Sequence, residues 1–516
     1  MAYRLFADID HVDCASGVEV GQLLNGSGHG GRYHSRMRFA AWLLIAAVGL
    51  APRAFGQPLP ELGGTGDLAL SPQLERRIGE SIVRDIRFRD PAYLDDAEIA
   101  DYLGSLGARL AQANPAARQD FEFFALRDHT VNAFALPGGF IGVHTGLINT
   151  AETESELASV LAHEIGHVSQ RHIARMLAQQ QQLQMPMMVA LAAAILLGRS
   201  RPDLAAGAAA AAQGAGIQAS LAYSRDFERE ADRVGLQTLQ DAGFDSRAMA
   251  AFFEKMQRAT RVSDDGTLPG YLRSHPVTSE RIADVQNKAA AMPYKQHPDT
   301  PEFQFIKAKL RAEAGDARDA AASFEAALRE HRYASEAAAH YGFASALLRA
   351  GRVKEAEREL ERLQSFAIAS PMVETLAARI EAASGDVAGA NRIYAEAQKR
   401  YPYSRAIAYA YIGSLQEASA NDAALAALRD TLKLYPKDSR LYGMQAKTYA
   451  ALGKRLLQHH SQGEAYALEG SLPAAIEQLQ LARSSGDGDF YQLSMVDARL
   501  KELRAQYALE TKDAKR

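Results

Sequence analysis

The sequence of 516 residues predicts a mainly α-helical protein, in which an α+β domain with a small sheet precedes an α-helical solenoid. Apolar residues recur at spacings of three and four over residues 70–118 and again from Leu157 to Ile165. Period-two alternation is confined to residues 119–148, and the second half repeats itself at steps of 36 and 34 residues. The net charge of −4, without any basic block, excludes a nucleic-acid binder that depends on phosphate neutralisation.

The N-terminal region predicts export. Residues 37–57 combine a basic start, an apolar run and the small-x-small cleavage site Ala54-Phe55-Gly56. The apolar run of about 13 residues is too short to span a bilayer, and a short hydrophobic anchor is the alternative interpretation. We expect residues 1–56 to be an upstream extension and a signal peptide cleaved near Gly56/Gln57. The single cysteine, Cys14, then precedes the mature chain, so any metal must be held by histidines and carboxylates.

Helices and strands alternate in the first half of the chain. Residues 70–118 have helical periodicity, and 119–148 read as strands with a Pro-Gly-Gly turn before FIGVHTGLI. The capping box Thr153–Glu156 opens a helix that we expect to reach about Gln182. The apolar stretch 185–222 predicts a buried helix pair or, alternatively, a surface that touches lipid or an unfolded client.

The chemistry of the chain is concentrated in HEIGH, an H-E-x-x-H motif inside a predicted helix. His163 and His167 lie one turn apart and can share one zinc ion, while Glu164 is in position to act as the general base. Apolar neighbours favour a functional role, because burying an unused charged glutamate is costly.

A catalytic zinc site needs a third protein ligand, and the segment 223–235 offers one. Glu228 and Asp232 are one helical turn apart, so Glu228 can bind metal while Asp232 orients a ligating histidine. The alternative is a solvated helix with charged i,i+4 pairs, which fits Asp226 and Glu230 better than Glu228.

The second half matches the tetratricopeptide pattern of small residues, glycine and alanine at fixed positions. Three consecutive repeats hold the register, a fourth lacks the glycine, and a fifth loses the register after Gly453. The first three repeats carry Ala308-Gly315-Ala320, Ala344-Gly351-Ala356 and Ala378-Gly385-Ala390. Such arrays present a groove to protein partners.

Taken together, HEIGH, the E-x-x-A-D of Glu228–Asp232, Ser274-His275-Pro276, NAFALPGGFIGV and the repeats resemble the exported BepA-type zinc metallopeptidases over residues 70–500. This group is related to HtpX and the CAAX prenyl proteases. The resemblance implies a zincin-like metallopeptidase domain over 57–295 and a tetratricopeptide domain over 296–516. It also implies one Zn²⁺ per chain on His163, His167 and Glu228, with Glu164 and Asp232 as the catalytic pair.

The same resemblance implies a periplasmic zinc endopeptidase, in contact with the outer membrane, that assists β-barrel assembly. Its expected substrates are misfolded or stalled proteins, and its expected partner is the barrel assembly machinery in the repeat groove. The alternative is a periplasmic chaperone or scaffold in which proteolysis is minor or latent. An integral membrane protease would need longer apolar spans than this sequence has.

Further residues are expected around the metal. An extended substrate is expected to pair along Phe140, Ile141, Gly142 and Val143, and Asn132 to bind substrate backbone or cap a turn. Arg281 is a candidate for carbonyl stabilisation, with a structural salt bridge as the alternative. We expect His275 to occupy the fourth zinc position and restrain the enzyme; packing of its loop or substrate binding are the alternatives. His172 follows His167 by five residues, which places it off the ligand face of one continuous helix.

Overall fold

The computed structural model describes residues 70–179, 224–262 and 270–513, all of which belong to one unit, Gly63–Arg516. The predicted signal peptide and the apolar stretch 185–222 lie outside the described residues. Within the described ranges, every helix is too short or too polar to cross a membrane.

The first half contains nine described helices and three strands. In chain order they are α1 Pro72–Arg89, α2 Ala97–Ala113, β1 Glu122–Leu126, β2 Ala133–Leu136, β3 Phe140–His144, α3 Thr145–Thr150, α4 Glu154–Ser169, α5 172–179, α6 224–241, α7 Arg247–Val262, α8 Gly270–Ser274 and α9 Ser279–Ala291. The strand predicted over FIGVHTGLI therefore ends at His144, and its last part is helix α3.

The three strands form one sheet with the order β1-β3-β2. β1 runs parallel to β3, and β2 pairs with β3 as an antiparallel hairpin through the Gly138-Gly139 turn. Both glycines have positive φ, 80° and 94°, a region that favours glycine. β3 is thus hydrogen-bonded on both sides. The prediction that a substrate pairs along Phe140, Ile141, Gly142 and Val143 is therefore wrong. Among the described residues, β2 pairs with a strand on one side only and so forms an edge of the sheet.

Helix α4 begins after Thr153, as the capping box predicts, although the Glu156 carboxylate binds the N–H of the residue before the N-cap. The Thr153 side chain accepts a hydrogen bond from the Glu156 N–H (3.2 Å), and the Glu156 carboxylate accepts one from the Glu152 N–H (2.7 Å). The helix ends at Ser169, however, and does not run on to Gln182. Arg171 adopts a left-handed conformation (φ 53°), after which α5 starts in a new direction.

The second half is a row of twelve described helices. They are α10 Pro301–Glu313, α11 Ala317–Arg329, α12 Glu336–Arg349, α13 Val353–Ser365, α14 Pro371–Ser384, α15 Val387–Arg400, α16 Arg405–Glu417, α17 Asn421–Leu434, α18 Ser439–Ala451, α19 Arg455–Leu468, α20 Leu472–Ser484 and α21 Phe490–Asp513. Gly385, with φ 107°, shows why the repeat carries glycine between its helices; Ser419 (φ 55°) takes that place in the fourth repeat.

The two halves share a hydrophobic core and buried ion pairs. One cluster of buried apolar residues continues from α2 and the sheet into α10–α14. Lys309 of α10 is buried and lies 2.6 Å from the carboxylates of both Asp96 and Glu98 at the start of α2. Arg405 of α16 binds Asp101 at 3.0 Å. The solenoid is therefore packed directly against the α+β half.

Candidate active site

Three segments bring the predicted ligands together. α4 carries His163 and His167, α6 carries Glu228, and His275 follows α8. α4 and α6 approach closely because glycines face the contact: a Cβ on Gly166 would lie 3.1 Å from the Ala231 carbonyl oxygen. A Cβ on Gly235 would lie 3.0 Å from the His163 backbone. This close approach places the Glu228 carboxylate beside both histidines.

The four side chains point one donor atom each at a common centre. His163 Nε2 lies 3.0 Å from His167 Nε2, 3.3 Å from His275 Nδ1 and 3.5 Å from Glu228 Oε2. His275 Nδ1 is 3.1 Å from the Glu228 carboxylate, and His167 Nε2 is 3.4 Å from Glu228 Oε1. All four donors lie within 4.8 Å of one another, and three of the four residues are buried.

This donor set fits a zinc ion. Donors at the corners of a tetrahedron with bonds of 2.0–2.1 Å are about 3.3 Å apart, which is close to the observed spacings. Three imidazoles and a carboxylate are ligands that zinc accepts. Each of the three imidazole nitrogens faces at least two of the other donor atoms, more than one shared proton can satisfy, so a shared cation explains their convergence.

The charges of the site favour a cation. Burial alone would raise the pKa of Glu228. The His275 charge and hydrogen bonds from the three histidines outweigh the effect of burial and hold the pKa of Glu228 well below its usual range. Burial alone would lower the pKa of His163, yet hydrogen bonds to Asp232 and Glu228 raise it to about 9. The carboxylates that attract a proton to His163 would also attract a metal ion.

Glu164 lies at the edge of the cluster. Its side chain is buried, its Oε1 has no hydrogen-bond partner among the described residues, and His275 Nε2 is 3.4 Å away. Burial raises the pKa of Glu164, against smaller opposing effects that include a hydrogen bond from the Ala135 N–H of β2. A carboxylate with a raised pKa at this position is suited to accept a proton near neutral pH.

Asp232 and Arg281 contact His163 and Glu228 outside the donor cluster. Asp232 Oδ1 lies 3.0 Å from His163 Nδ1, on the side of the ring away from the donor cluster. Arg281 donates two hydrogen bonds of 2.7 Å to Asp232 and lies 2.9 Å from Glu228 Oε2. The guanidinium is thus engaged in a buried salt-bridge network, the alternative given for Arg281 on sequence grounds.

The remaining predicted residues lie in or beside the sheet. Asn132 immediately precedes β2; its main-chain oxygen accepts from the His144 N–H, and its side-chain Oδ1 is buried without a partner in the described structure. Phe140, Ile141, Gly142 and Val143 are buried in β3. The antiparallel register directs the main-chain groups of Ala133 and Ala135 away from β3, toward the open edge.

Two residues at the site were missed by sequence reasoning. The buried Tyr271 ring stacks on His275 with centroids 4.9 Å apart, at a place that no motif marks. His172 is turned toward His167 by the break at Arg171. Glu230, interpreted as solvated, contacts His172 and Arg175. In the sequence His172 is only a histidine five residues after HEIGH, and no local pattern indicates that its ring is buried.

Comparison with known proteins agrees with this arrangement. Residues 98–289 match the model of Peptidase family M48, and residues 311–380 match a tetratricopeptide repeat model. The fold and the histidine–glutamate cluster therefore define a metallopeptidase of the M48 class joined to tetratricopeptide repeats.

The relatives narrow the assignment. The chain is 31% identical over 481 residues to the beta-barrel assembly-enhancing protease of Escherichia coli (strain K12), covering 89% of this chain and 95% of the relative. The Yersinia pestis protein of that name is 30% identical, covering 86% and 91%. The mitochondrial metalloendopeptidase OMA1 of Arabidopsis thaliana is 29% identical over 43% of this chain and 42% of its own. The chain belongs to the family of beta-barrel assembly-enhancing proteases.

Proposed function

We propose that this protein is a zinc-dependent endopeptidase that cleaves misfolded or stalled polypeptides during the assembly of outer-membrane β-barrel proteins. The observation that carries the proposal is the convergence of His163, His167, Glu228 and His275 beside the buried carboxylate of Glu164. The relatives are named for enhancing β-barrel assembly, which supports the connection with that process. The predicted signal peptide and the proposed role in outer-membrane barrel assembly support a periplasmic location.

We assign the ligand role to His163, His167 and Glu228, and the base role to Glu164. When bound, zinc would polarise the scissile carbonyl and acidify water at the site. Glu164 would accept the proton of the attacking water and return it to the leaving amine, since its buried Oε1 has no competing hydrogen bond in the described structure. Asp232 would hold the His163 ring, and Arg281 would keep both carboxylates of the network in place.

The substrate is proposed to bind as an extended strand along the open edge of β2. The N–H and C=O groups of Ala133 and the C=O group of Ala135 face this edge and are proposed to pair with the substrate, whereas the Ala135 N–H is donated to Glu164. Main-chain pairing gives affinity with little sequence preference, which suits a peptidase for unfolded chains. Asn132 adjoins this edge and is proposed to contact the substrate backbone.

The solenoid is proposed to hold protein partners, including the barrel assembly machinery. A cavity of about 670 Å³ opens between α11, α12 and α13, with the half-exposed Phe366 at its wall and the buried pair His340–Glu359 (2.7 Å) beside it. An apolar ring amid mixed charges suits a polypeptide partner.

A second candidate function is favoured by His275. Catalytic zinc sites keep one ligand position open, and a fourth protein ligand would fill it. The resting protein would then act mainly as a chaperone or scaffold, with proteolysis released when His275 moves away. Packing of the loop through Tyr271 is the alternative role for His275.

These proposals are tested by incubating the purified protein with an unfolded outer-membrane β-barrel protein and, in parallel, with the same protein folded in detergent. Cleavage of the unfolded form alone, blocked by a zinc chelator and by Glu164→Gln, is expected. Cleavage that survives both treatments would contradict the zinc mechanism, and equal cleavage of the folded form would contradict the substrate class.

A further inference from the structure

The ring of His172 lies against the ligand His167. The left-handed residue Arg171 redirects the chain, so that His172 Nδ1 lies 2.9 Å from His167 Nδ1. His172 is 3% exposed, and the two ring centroids are 4.8 Å apart. Two imidazole nitrogens at this distance share one proton, so one of them donates and the other accepts.

The other nitrogen of His167 decides the direction of this hydrogen bond. His167 Nε2 faces the donor cluster, 3.4 Å from Glu228 Oε1, and a nitrogen that binds metal carries no proton. The proton of a neutral His167 is then on Nδ1, and His167 donates to His172.

The chain of hydrogen bonds continues beyond His172. If its Nδ1 accepts, the proton of a neutral His172 is on Nε2, which lies 3.2 Å from Glu230 Oε2. Arg175 donates to the same Glu230 oxygen at 2.8 Å. Each N–H named in this series therefore meets an acceptor. The series ends at the salt bridge between Arg175 of α5 and Glu230 of α6.

Phe227 fixes the position of the series. Its ring stacks on His172 at 4.3 Å, with the planes inclined by 18°, and the Arg175 guanidinium lies 4.7 Å from its centroid. Phe227 directly precedes the ligand Glu228 in α6, so the stack ties His172 to the same helix turn that supplies the metal ligand.

We propose that His172, Glu230 and Arg175 are positioning residues that hold the His167 ring in the orientation and tautomer required for metal binding. The inference rests on the proposed metal site and extends it: His167 has its own supporting series, separate from the Asp232–Arg281 pair behind His163. Partners of this kind contribute about 10–100-fold to metal affinity.

The first test uses the unaltered full-length protein, labelled with ¹⁵N-histidine and loaded with zinc. Nuclear magnetic resonance should show His167 protonated at Nδ1, and His172 protonated at Nε2 only. A His172 protonated at Nδ1 would overturn the proposal, because its Nδ1 could not accept from His167.

The second test measures zinc dissociation constants by chelator competition. His172→Phe keeps the stacking on Phe227 but removes the acceptor, so its zinc dissociation constant should rise about 10–100-fold. His172→Gln, which restores an acceptor oxygen, should recover part of the affinity. His129→Phe is the matched control, because His129 is exposed and lies outside the three segments that carry the ligands.

The outcomes separate this inference from the proposed function. If the unaltered protein binds zinc and cleaves protein while His172→Phe binds zinc equally well, the positioning role is wrong and the peptidase stands. If the unaltered protein binds no zinc, the metal site and this inference both fail. Loss of affinity in His172→Phe that His172→Gln does not relieve would show that the hydrogen-bond acceptor is not what supports His167, and would also overturn the proposal.

Discussion

Replacing Arg281 by methionine tests the salt-bridge network behind the ligands. The side chains of Arg281, Asp232 and Glu228 are 5%, 2% and 8% exposed, so the substitution leaves two carboxylates buried without their cation. Removing one partner of a buried ion pair typically costs about 3–5 kcal/mol. We therefore expect Arg281→Met to lower the free energy of unfolding by about 3–5 kcal/mol in the presence of a zinc chelator.

Arg229→Met is the matched control, on the helix that carries Glu228. Arg229 is 44% exposed and pairs with Asp226 and Glu280, which are 68% and 73% exposed, so its loss should cost about 0–1 kcal/mol. Urea denaturation followed by circular dichroism measures both variants. Zinc should reduce the difference, because a bound cation would offset part of the lost charge. If Arg281→Met and Arg229→Met lower the free energy of unfolding by the same amount, both in the chelator and in zinc, this account of Arg281 is refuted.

Three further predictions concern the ligands and the base. Glu164→Gln should retain zinc but lose at least about 10²-fold in peptide hydrolysis, whereas Glu280→Gln should cleave normally; near-normal cleavage by the former would refute the base assignment. Glu228→Gln should lower the zinc content of the purified protein, measured by atomic absorption, and unchanged content would show that the third ligand lies elsewhere. His275→Ala should increase basal casein cleavage while zinc stays bound; a fall in cleavage with zinc unchanged would assign His275 to substrate binding or catalysis instead of restraint.

The sequence predicted the features of the site that depend on local spacing. His163 and His167 share a helix face because they are four residues apart, and Glu228 and Asp232 do so for the same reason. The glycines of the repeat marked the helix ends of the solenoid, because each position requires a positive φ that few other residues accept.

Features that depend on distant contacts could not be predicted in this way. β3 lies in the middle of the sheet because β1 does not pair with β2, its neighbour in sequence, but along the other side of β3. The turn at Arg171 contains neither glycine nor proline; its side chain binds Glu75 of α1 at 3.0 Å, a contact that no local pattern indicates. The position of His172 follows from that turn, so it could not be predicted from local sequence either.

The central claim, that the histidine–glutamate cluster is a zinc peptidase site, is tested most directly by one titration. The full-length protein and its His275→Ala variant are stripped of metal, zinc is added back in steps, and casein cleavage is measured at each step. Cleavage should be absent from the stripped proteins, should rise until one zinc is bound per chain, and should be greater in His275→Ala. Cleavage by the metal-free proteins, or none in either protein once zinc is bound, would contradict the account.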